Sequence, residues 1–396
     1  QRAAGHAGKA AHAARATSLA LAFGDLHGAD LRAVLEVATA GAYTYTAYKP
    51  EADRAPALTE LVVLGPEDTA IAQAATVRAK WQAVARELVN GPAADIHPQS
   101  MAEKAQELLG GIPGVTVEVW DYERLLAEDC VGICAVGQGS DRKPTMVRIQ
   151  YRPANAKAHI GLVGKGVTFD SGGLSLKPSG SMLTMRCDMG GSATMLGATG
   201  AIAELGLPVA VDPFLGCAEN MTGAGAYKLG DILRYRNGVT VEVHNTDTEG
   251  RLVLADCLIE ACRVEGLTHL VDADTLTGAC VVAVGGDFTG LFTADDAFAG
   301  ALMQAAEDAG EGMWRLPLHQ PYLRMLKGDY GQIKNVGGRE AGSTTAALFL
   351  QHFVDGPAWA HLDVAGSAFA DKARDYWAPG GTGQGVRTLV NWAEGL

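Results

Sequence analysis

The sequence predicts an α/β protein, and three observations predict it. Short apolar runs alternate along the chain with longer stretches of helical periodicity. Glycine-rich turns separate the two kinds of segment. Acids and lysines gather in several of these turns, just past an apolar run, which is where open α/β sheets place their ligands. The 396 residues are enough for two or three domains with a large core.

Residues 1–22 are rich in alanine, carry Arg2, Lys9 and Arg15, and contain no acid. Transit peptides share that composition, but a helix of a larger domain is the preferred reading. Leu19–Phe23 then reads as a strand, residues 33–40 as a helix, and Leu61–Leu64 as a short buried strand before a Gly65-Pro66 turn. Asp68 suits an N-cap for a helix running to Asn90, with Ile71, Ala74, Ala75, Val77, Trp81, Val84 and Leu88 on its apolar face and Gly91-Pro92 as its stop. A domain boundary on this helix gives a small α/β domain at 1–85 and a second domain at 86–396. Further helices are expected at 99–109, 122–128, 192–205, 252–262, 343–353 and 384–394. Strands are expected at 115–119, 145–151, 159–163, 208–217, 239–244, 270–274 and 359–364.

Composition excludes several classes. A charged fraction of 19% beside 48% apolar residues is that of a globular protein. The net charge of −13 lacks the basic footprint of a nucleic-acid binder. No apolar run reaches the ~18–20 residues of a membrane span, so no membrane partner is expected. The seven cysteines are an odd number with no C-x-x-C pair. They predict buried free thiols in a reducing cytoplasm, and a thiolate zinc site lacks its ligand spacing.

Chemistry concentrates between Lys165 and Arg251. The segment Asn245-Thr246-Asp247-Thr248-Glu249-Gly250-Arg251 sets two acids around one residue, followed by glycine and arginine. Upstream stand Gly164-Lys165-Gly166, Asp170-Ser171-Gly172-Gly173, Lys177 and Asp188-Met189-Gly190-Gly191. Asp170, Asp188, Asp247 and Glu249 in one pocket would repel each other unless cations neutralised them. Two divalent ions would balance four carboxylates, and paired metals activate a bridging water for hydrolysis. Carboxylate oxygens suit Mn²⁺, Mg²⁺ or Zn²⁺. A lysine in such a site can be a neutral nitrogen ligand or a charged group that stabilises an oxyanion. A phosphate-loop reading of Gly164-Lys165-Gly166 fails, because His159 stands where the first glycine belongs and Gly166 where Ser or Thr belongs.

At these residues the chain resembles the leucyl aminopeptidase family of dinuclear cytosolic aminopeptidases. The 245–251 segment is similar to the family signature. The 164–170 segment, Lys177, Met185, 188–191, Thr275-Leu276-Thr277-Gly278-Ala279, Asn335-Val336-Gly337-Gly338-Arg339, Trp359-Ala360-His361-Leu362-Asp363 and Gly385-Val386-Arg387-Thr388-Leu389 resemble its other motifs in the same order. The resemblance runs from about residue 85 to the end. It implies a C-terminal αβα catalytic domain with a central mixed sheet, preceded by a smaller α/β domain that here is shortened at its start. It implies a homohexamer acting on peptides in the cytoplasm, with two divalent metals (Zn or Mn) per subunit and bicarbonate as general base.

The resemblance also implies roles. Lys165, Asp170, Asp188 and Glu249 would bind one metal, and Asp170, Asp247 and Glu249 the other. Lys177 would stabilise the tetrahedral intermediate. Arg251, with the backbone of Gly250 and Leu252, would hold the bicarbonate. Met185, Asn245, Thr275, Leu276, Gly278 and Ala365 match positions lining the pocket for the first side chain, and the apolar ones suit Leu or Met. A free α-amine bound to metal would make the enzyme an exopeptidase.

Taken singly, each residue has an ordinary reading. Lys177 could be a surface lysine, Met185 core filler, Arg251 a helix-start residue and Asp188 a helix cap. His244 and His361 read as structural histidines. Two residues depart from the family pattern. Thr248 replaces alanine and is expected to shift metal preference slightly. Asp274 replaces a small apolar residue and is expected beside the pocket, favouring a basic first residue. Two other classes remain open: a dinuclear phosphoesterase, and a catalytically silent assembly or DNA-binding protein.

Overall fold

The computed structural model describes residues 1–24, 26–65 and 68–396. Pro66 of the expected Gly65-Pro66 turn lies outside the described residues. The chain begins with α1 (Arg2–Ala13), β1 (Ser18–Leu21), α2 (Gly28–Ala42), β2 (Glu60–Val63) and α3 (Thr69–Asn90). Next come α4 (Pro98–Leu109), β3 (Val115–Trp120), α5 (Tyr122–Ala127), α6 (Val131–Gly137), β4 (Thr145–Tyr151) and β5 (Ala158–Asp170). The middle holds α7 (Ser179–Met182), α8 (Gly190–Glu204), β6 (Val209–Asn220), β7 (Ile232–Arg234), β8 (Thr240–Glu242), α9 (Gly250–Cys262) and β9 (His269–Asp274). The last part is α10 (Gly278–Val284), β10 (Phe288–Phe292), α11 (Asp296–Ala309), β11 (Gly312–Arg315), β12 (Ile333–Lys334), α12 (Gly342–Gln351), β13 (Ala358–Asp363), β14 (Phe369–Ala370), β15 (Gly380–Gly381) and α13 (Val386–Glu394).

Eight strands form the main sheet in the order β11-β10-β13-β9-β5-β6-β4-β3. β13, β9, β5 and β6 run parallel to one another; β10 joins β13 and β4 joins β6 antiparallel, β3 is antiparallel to β4, and β11 is parallel to β10. The parallel centre is buried on both faces, as crossover helices require. One face packs on α3, α4, α8, α11 and α13, the other on α5, α6, α9 and α12. This is the αβα arrangement with a mixed sheet expected above.

β5 is longer than expected. The apolar run ends at Val163, yet the strand continues through Gly164-Lys165-Gly166 to Asp170. The ladder supplied by β6 carries it past the glycines to Asp170, while β9 pairs with it only as far as Gly164. The helix α6 and the β10–α11–β11 segment lie in stretches for which no element was expected.

The N-terminal segment has its own small core of Ala4, Leu21, Val34 and Ala38, under a two-stranded parallel sheet of β1 and β2. β2 is half exposed rather than buried. Val62 is 40% exposed and Leu64, just past the strand, 56%, because so small a sheet is covered on one face only. Asp68 caps α3 as expected, accepting from the Ile71 N–H at 3.0 Å. α3 touches α2 on one side and α8 and α13 on the other. Buried Arg86 ties these layers by donating to the carbonyls of Ala40 (2.7 Å) and Gly381 (2.8 Å).

Trp81 fills the seam between α3 and α8, 1% exposed, with its indole N–H donating to Glu204 Oε2 at 2.7 Å. Trp81→Ala should therefore cost about 3–5 kcal/mol of stability in urea unfolding followed by circular dichroism. A loss below about 1 kcal/mol would contradict this packing.

Candidate active site

The C-terminal ends of β5, β9 and β13 converge, and each ends in an acid: Asp170, Asp274 and Asp363. Lys165 and Asp170 are five positions apart on β5, so strict alternation would send them to opposite faces. A bulge between Val167 and Phe169 inserts one extra residue against β6 and corrects this.

Asp188 arrives from the other direction, after a 3₁₀ turn at Met185–Cys187 and just before α8. Its approach depends on bare backbone. A Cβ on Gly164 would lie 2.6 Å from Ser192 Cα, and one on Gly191 2.0 Å from the Ala273 carbonyl. The two glycines let α8 sit directly on the sheet beside Lys165.

Glu249 is the N-cap residue of α9, with Asp247 two residues before it. Their loop is pinned by Asn335, a fully buried residue. Its amide Nδ2 donates to the Asn245 carbonyl and to Thr248 Oγ1, both at 2.7 Å, and its Oδ1 accepts from the His244 N–H at 2.8 Å. The Thr248 hydroxyl donates in turn to the Asn245 carbonyl at 2.8 Å. Both hydrogen bonds of Thr248 therefore serve the loop. Asn220 holds the other side, its Nδ2 donating to Asp170 Oδ1 at 2.7 Å and to the Thr246 carbonyl at 2.9 Å. Asn335 stood inside a quoted motif without an assigned role, and Asn220 lay just past the expected strand 208–217 and carried no sequence signal.

Two lysines interleave the acids. Lys165 Nζ lies 2.9 Å from Asp188 Oδ2, 2.9 Å from Glu249 Oε1 and 3.5 Å from Asp274 Oδ1. Lys177 Nζ lies 2.8 Å from Asp170 Oδ2 and 2.6 Å from Asp247 Oδ1. Asp170, Asp247 and Glu249 each offer an oxygen within 4.8 Å of the other two. All five metal residues expected from sequence are thus brought together with Lys177.

Burial and crowding dominate the electrostatics. Burial, with Glu249 adding to it, pushes Asp170 up to about 7, and burial pushes Asp274 up to about 7. Asp188 is raised well above the usual carboxylate range, first by burial. Burial also acts on Glu249, but Lys165 and Lys177 outweigh it and hold that carboxyl below its ordinary value. Burial pulls both lysines down, and the surrounding acids overcome it, keeping each above its ordinary value. Glu249 Oε2 and both Asp274 oxygens are buried without a hydrogen-bond partner among the described residues. Buried acids in this excess, with unpaired oxygens turned on one another, fit divalent cations.

The remaining expected residues lie around this cluster. Met185, Asn245, Thr275, Leu276 and Ala365 are half-buried and Gly278 is exposed. Thr275 Oγ1 donates to Asp188 Oδ1 at 2.6 Å, so it also orients an acid. Arg251 is buried, its Nη1 donates to the Asn335 carbonyl at 2.8 Å, and its Nε has no hydrogen-bond partner among the described residues. The Leu252 N–H is turned into α9 and donates to the Glu249 carbonyl at 2.9 Å. His361 is buried against Asp272 Oδ1 at 2.5 Å, and His244 lies 2.9 Å from Glu242. His244 fits the expectation of a satisfied structural histidine, whereas His361 Nε2 is buried with no hydrogen-bond partner among the described residues. Asp274 departs from its expected role. It has no exposed surface and its partner is Lys165, so it presents nothing to a substrate's basic side chain.

The sequence from 83 to 390 matches the family model described as the cytosol aminopeptidase family, catalytic domain. A probable cytosol aminopeptidase of Synechococcus sp. is 42% identical over 398 residues, covering 99% of this chain and 81% of that protein. One of Streptomyces avermitilis is 43% identical over 407 residues, covering 100% and 78%. Among solved structures, the bottromycin maturation enzyme BotP in complex with Mn superposes with a TM-score of 0.91 at 39% identity, covering 99% of this chain and 87% of that one.

Gly250 presses on the Lys165 side chain so closely that an added Cβ would lie 2.6 Å from Nζ and 2.7 Å from Cε. Gly250→Ala should displace Lys165 and weaken Mn²⁺ binding about 10- to 100-fold, measured by titration calorimetry. Binding equal to the unsubstituted protein would show that Lys165 has freedom the packing denies it.

Proposed function

We propose that this chain, which belongs to the cytosol aminopeptidase family, releases N-terminal residues from peptides, with Leu and Met among those preferred. Membership makes it a metal-dependent aminopeptidase, a metalloexopeptidase of the hydrolase class. The observation that carries the finer reading is the cluster itself: Asp170, Asp188, Asp247 and Glu249 around Lys165 and Lys177, with unpaired buried oxygens.

In this proposal Lys165, Asp170, Asp188 and Glu249 hold one divalent ion, and Asp170, Asp247 and Glu249 hold the second. Mn²⁺ is proposed as one such ion, since the similar BotP was solved with Mn, and Zn²⁺ as the other candidate. When bound, such a pair supplies a hydroxide nucleophile at neutral pH and polarises the scissile carbonyl.

The chain's own residues do the rest. Lys177 stays charged beside Asp170 and Asp247, at the rim of the cluster, where its Nζ can stabilise an oxyanion. Arg251, lowered by burial to about 10, is still a cation at neutral pH and would hold bicarbonate. The Leu252 N–H is already bonded within its helix, so the arginine carries most of that site. Met185, Leu276 and Ala365 give the first side chain apolar surroundings. Assembly as a homohexamer in a reducing cytoplasm is part of the same proposal. The seven free cysteines, six of them buried, support the reducing compartment.

The test uses metal-stripped protein given Leu-p-nitroanilide or its N-acetylated form, with Mn²⁺ or Zn²⁺ restored. Cleavage of the free-amine substrate alone is expected. Cleavage of an aryl phosphate in its place would move the assignment to a phosphoesterase. Lys177→Met should keep two ions while kcat falls about 10²- to 10³-fold. Undiminished kcat would remove Lys177 from the chemistry.

A further inference from the structure

We infer that Asp274 is a positioning residue for the cation bound at Lys165, holding that side chain so its Nζ faces the site between Asp188 and Glu249. The inference rests on the dinuclear reading above and adds a residue to it. Asp272 and Asp274 share one face of β9, since they are two positions apart. Asp272 is fully occupied: it lies 2.5 Å from His361 Nδ1 and accepts from the Trp359 indole N–H at 2.6 Å. Asp274 is different. It has no exposed surface, and neither oxygen has a hydrogen-bond partner among the described residues. Among the described residues, its ion-pair partner is Lys165, with Nζ 3.5 Å from Oδ1.

A carboxylate is costly to bury without a partner, so its position needs a reason, and Lys165 supplies one. The lysine runs against the Gly250 backbone, with Asp188 and Glu249 each 2.9 Å from Nζ. Those two acids are the proposed cation ligands. Asp274 is the third acid at the amine and the one with no path to solvent. An acid placed behind a ligand at ion-pair distance, here 3.5 Å, fixes that ligand's orientation and raises its affinity for metal.

The experiment titrates Mn²⁺ into metal-stripped protein by calorimetry, with bound metal counted by elemental mass spectrometry. The unsubstituted protein should take up two ions. Asp274→Ala should lose about 10- to 100-fold in affinity for one of them and keep the other unchanged. Asp274→Asn keeps an acceptor oxygen and should fall between the two. Far-ultraviolet circular dichroism checks folding, and the asparagine variant carries the test if the alanine variant does not fold. Two ions at unsubstituted affinity in the folded variant would overturn the inference alone, as would equal weakening of both. Failure of the unsubstituted protein to bind two ions would overturn the functional reading and this inference with it.

Discussion

The constraint on which the rest of the structure depends is the burial of more acid than nearby cations neutralise. Asp170, Asp188, Asp247, Glu249 and Asp274 meet where the parallel strands end, and Lys165 and Lys177 are threaded between them. Burial alone would expel such charges or protonate them. The fold keeps them by holding the backbone around them rigidly. The β5 bulge turns Lys165 and Asp170 to a common side, two glycines seat α8 on the sheet, and Asn335 and Asn220 lock the loops that carry Asp247 and Asp170.

Those supports also explain why the site residues come from separated segments. Four separate segments deliver the acids: β5 brings Asp170, the turn before α8 brings Asp188, the loop into α9 brings Asp247 and Glu249, and β9 brings Asp274. No short segment could bring together so many like charges without crowding its own backbone. Spreading them along the C-terminal ends of the central strands lets several be held by hydrogen bonds of their own. Thr275 holds Asp188, and Asn220 holds Asp170, in the same way.

Much of this was legible in the sequence. Asp-x-Glu-Gly-Arg at 247–251 and the lysines at 165 and 177 marked the site because charged residues seldom sit in glycine-rich turns beside apolar runs. The α3 helix was legible from Asp68 to Gly91 because its cap, its periodicity and its stop all agree. What was not legible has physical causes. The end of β5 was invisible because glycines break a local pattern, while that part of the strand is set by its neighbour β6. The short helix α6 lacks a side-chain cap at its start. Asp274 was read from its distance along the chain to the pocket loop. Strand alternation turns it instead toward Lys165. Thr248 was read as a neighbour of metal ligands, whereas its hydroxyl is committed to Asn245 and Asn335.

The central claim is that these acids exist to hold two divalent ions. The most direct test is a crystal structure of the Mn²⁺-loaded protein with anomalous data collected at the manganese edge. The account predicts two anomalous peaks about 3.5–4 Å apart, with Asp170 and Glu249 shared between them, Lys165 and Asp188 at one and Asp247 at the other. A single peak, or a pair of peaks away from these five residues, would contradict it.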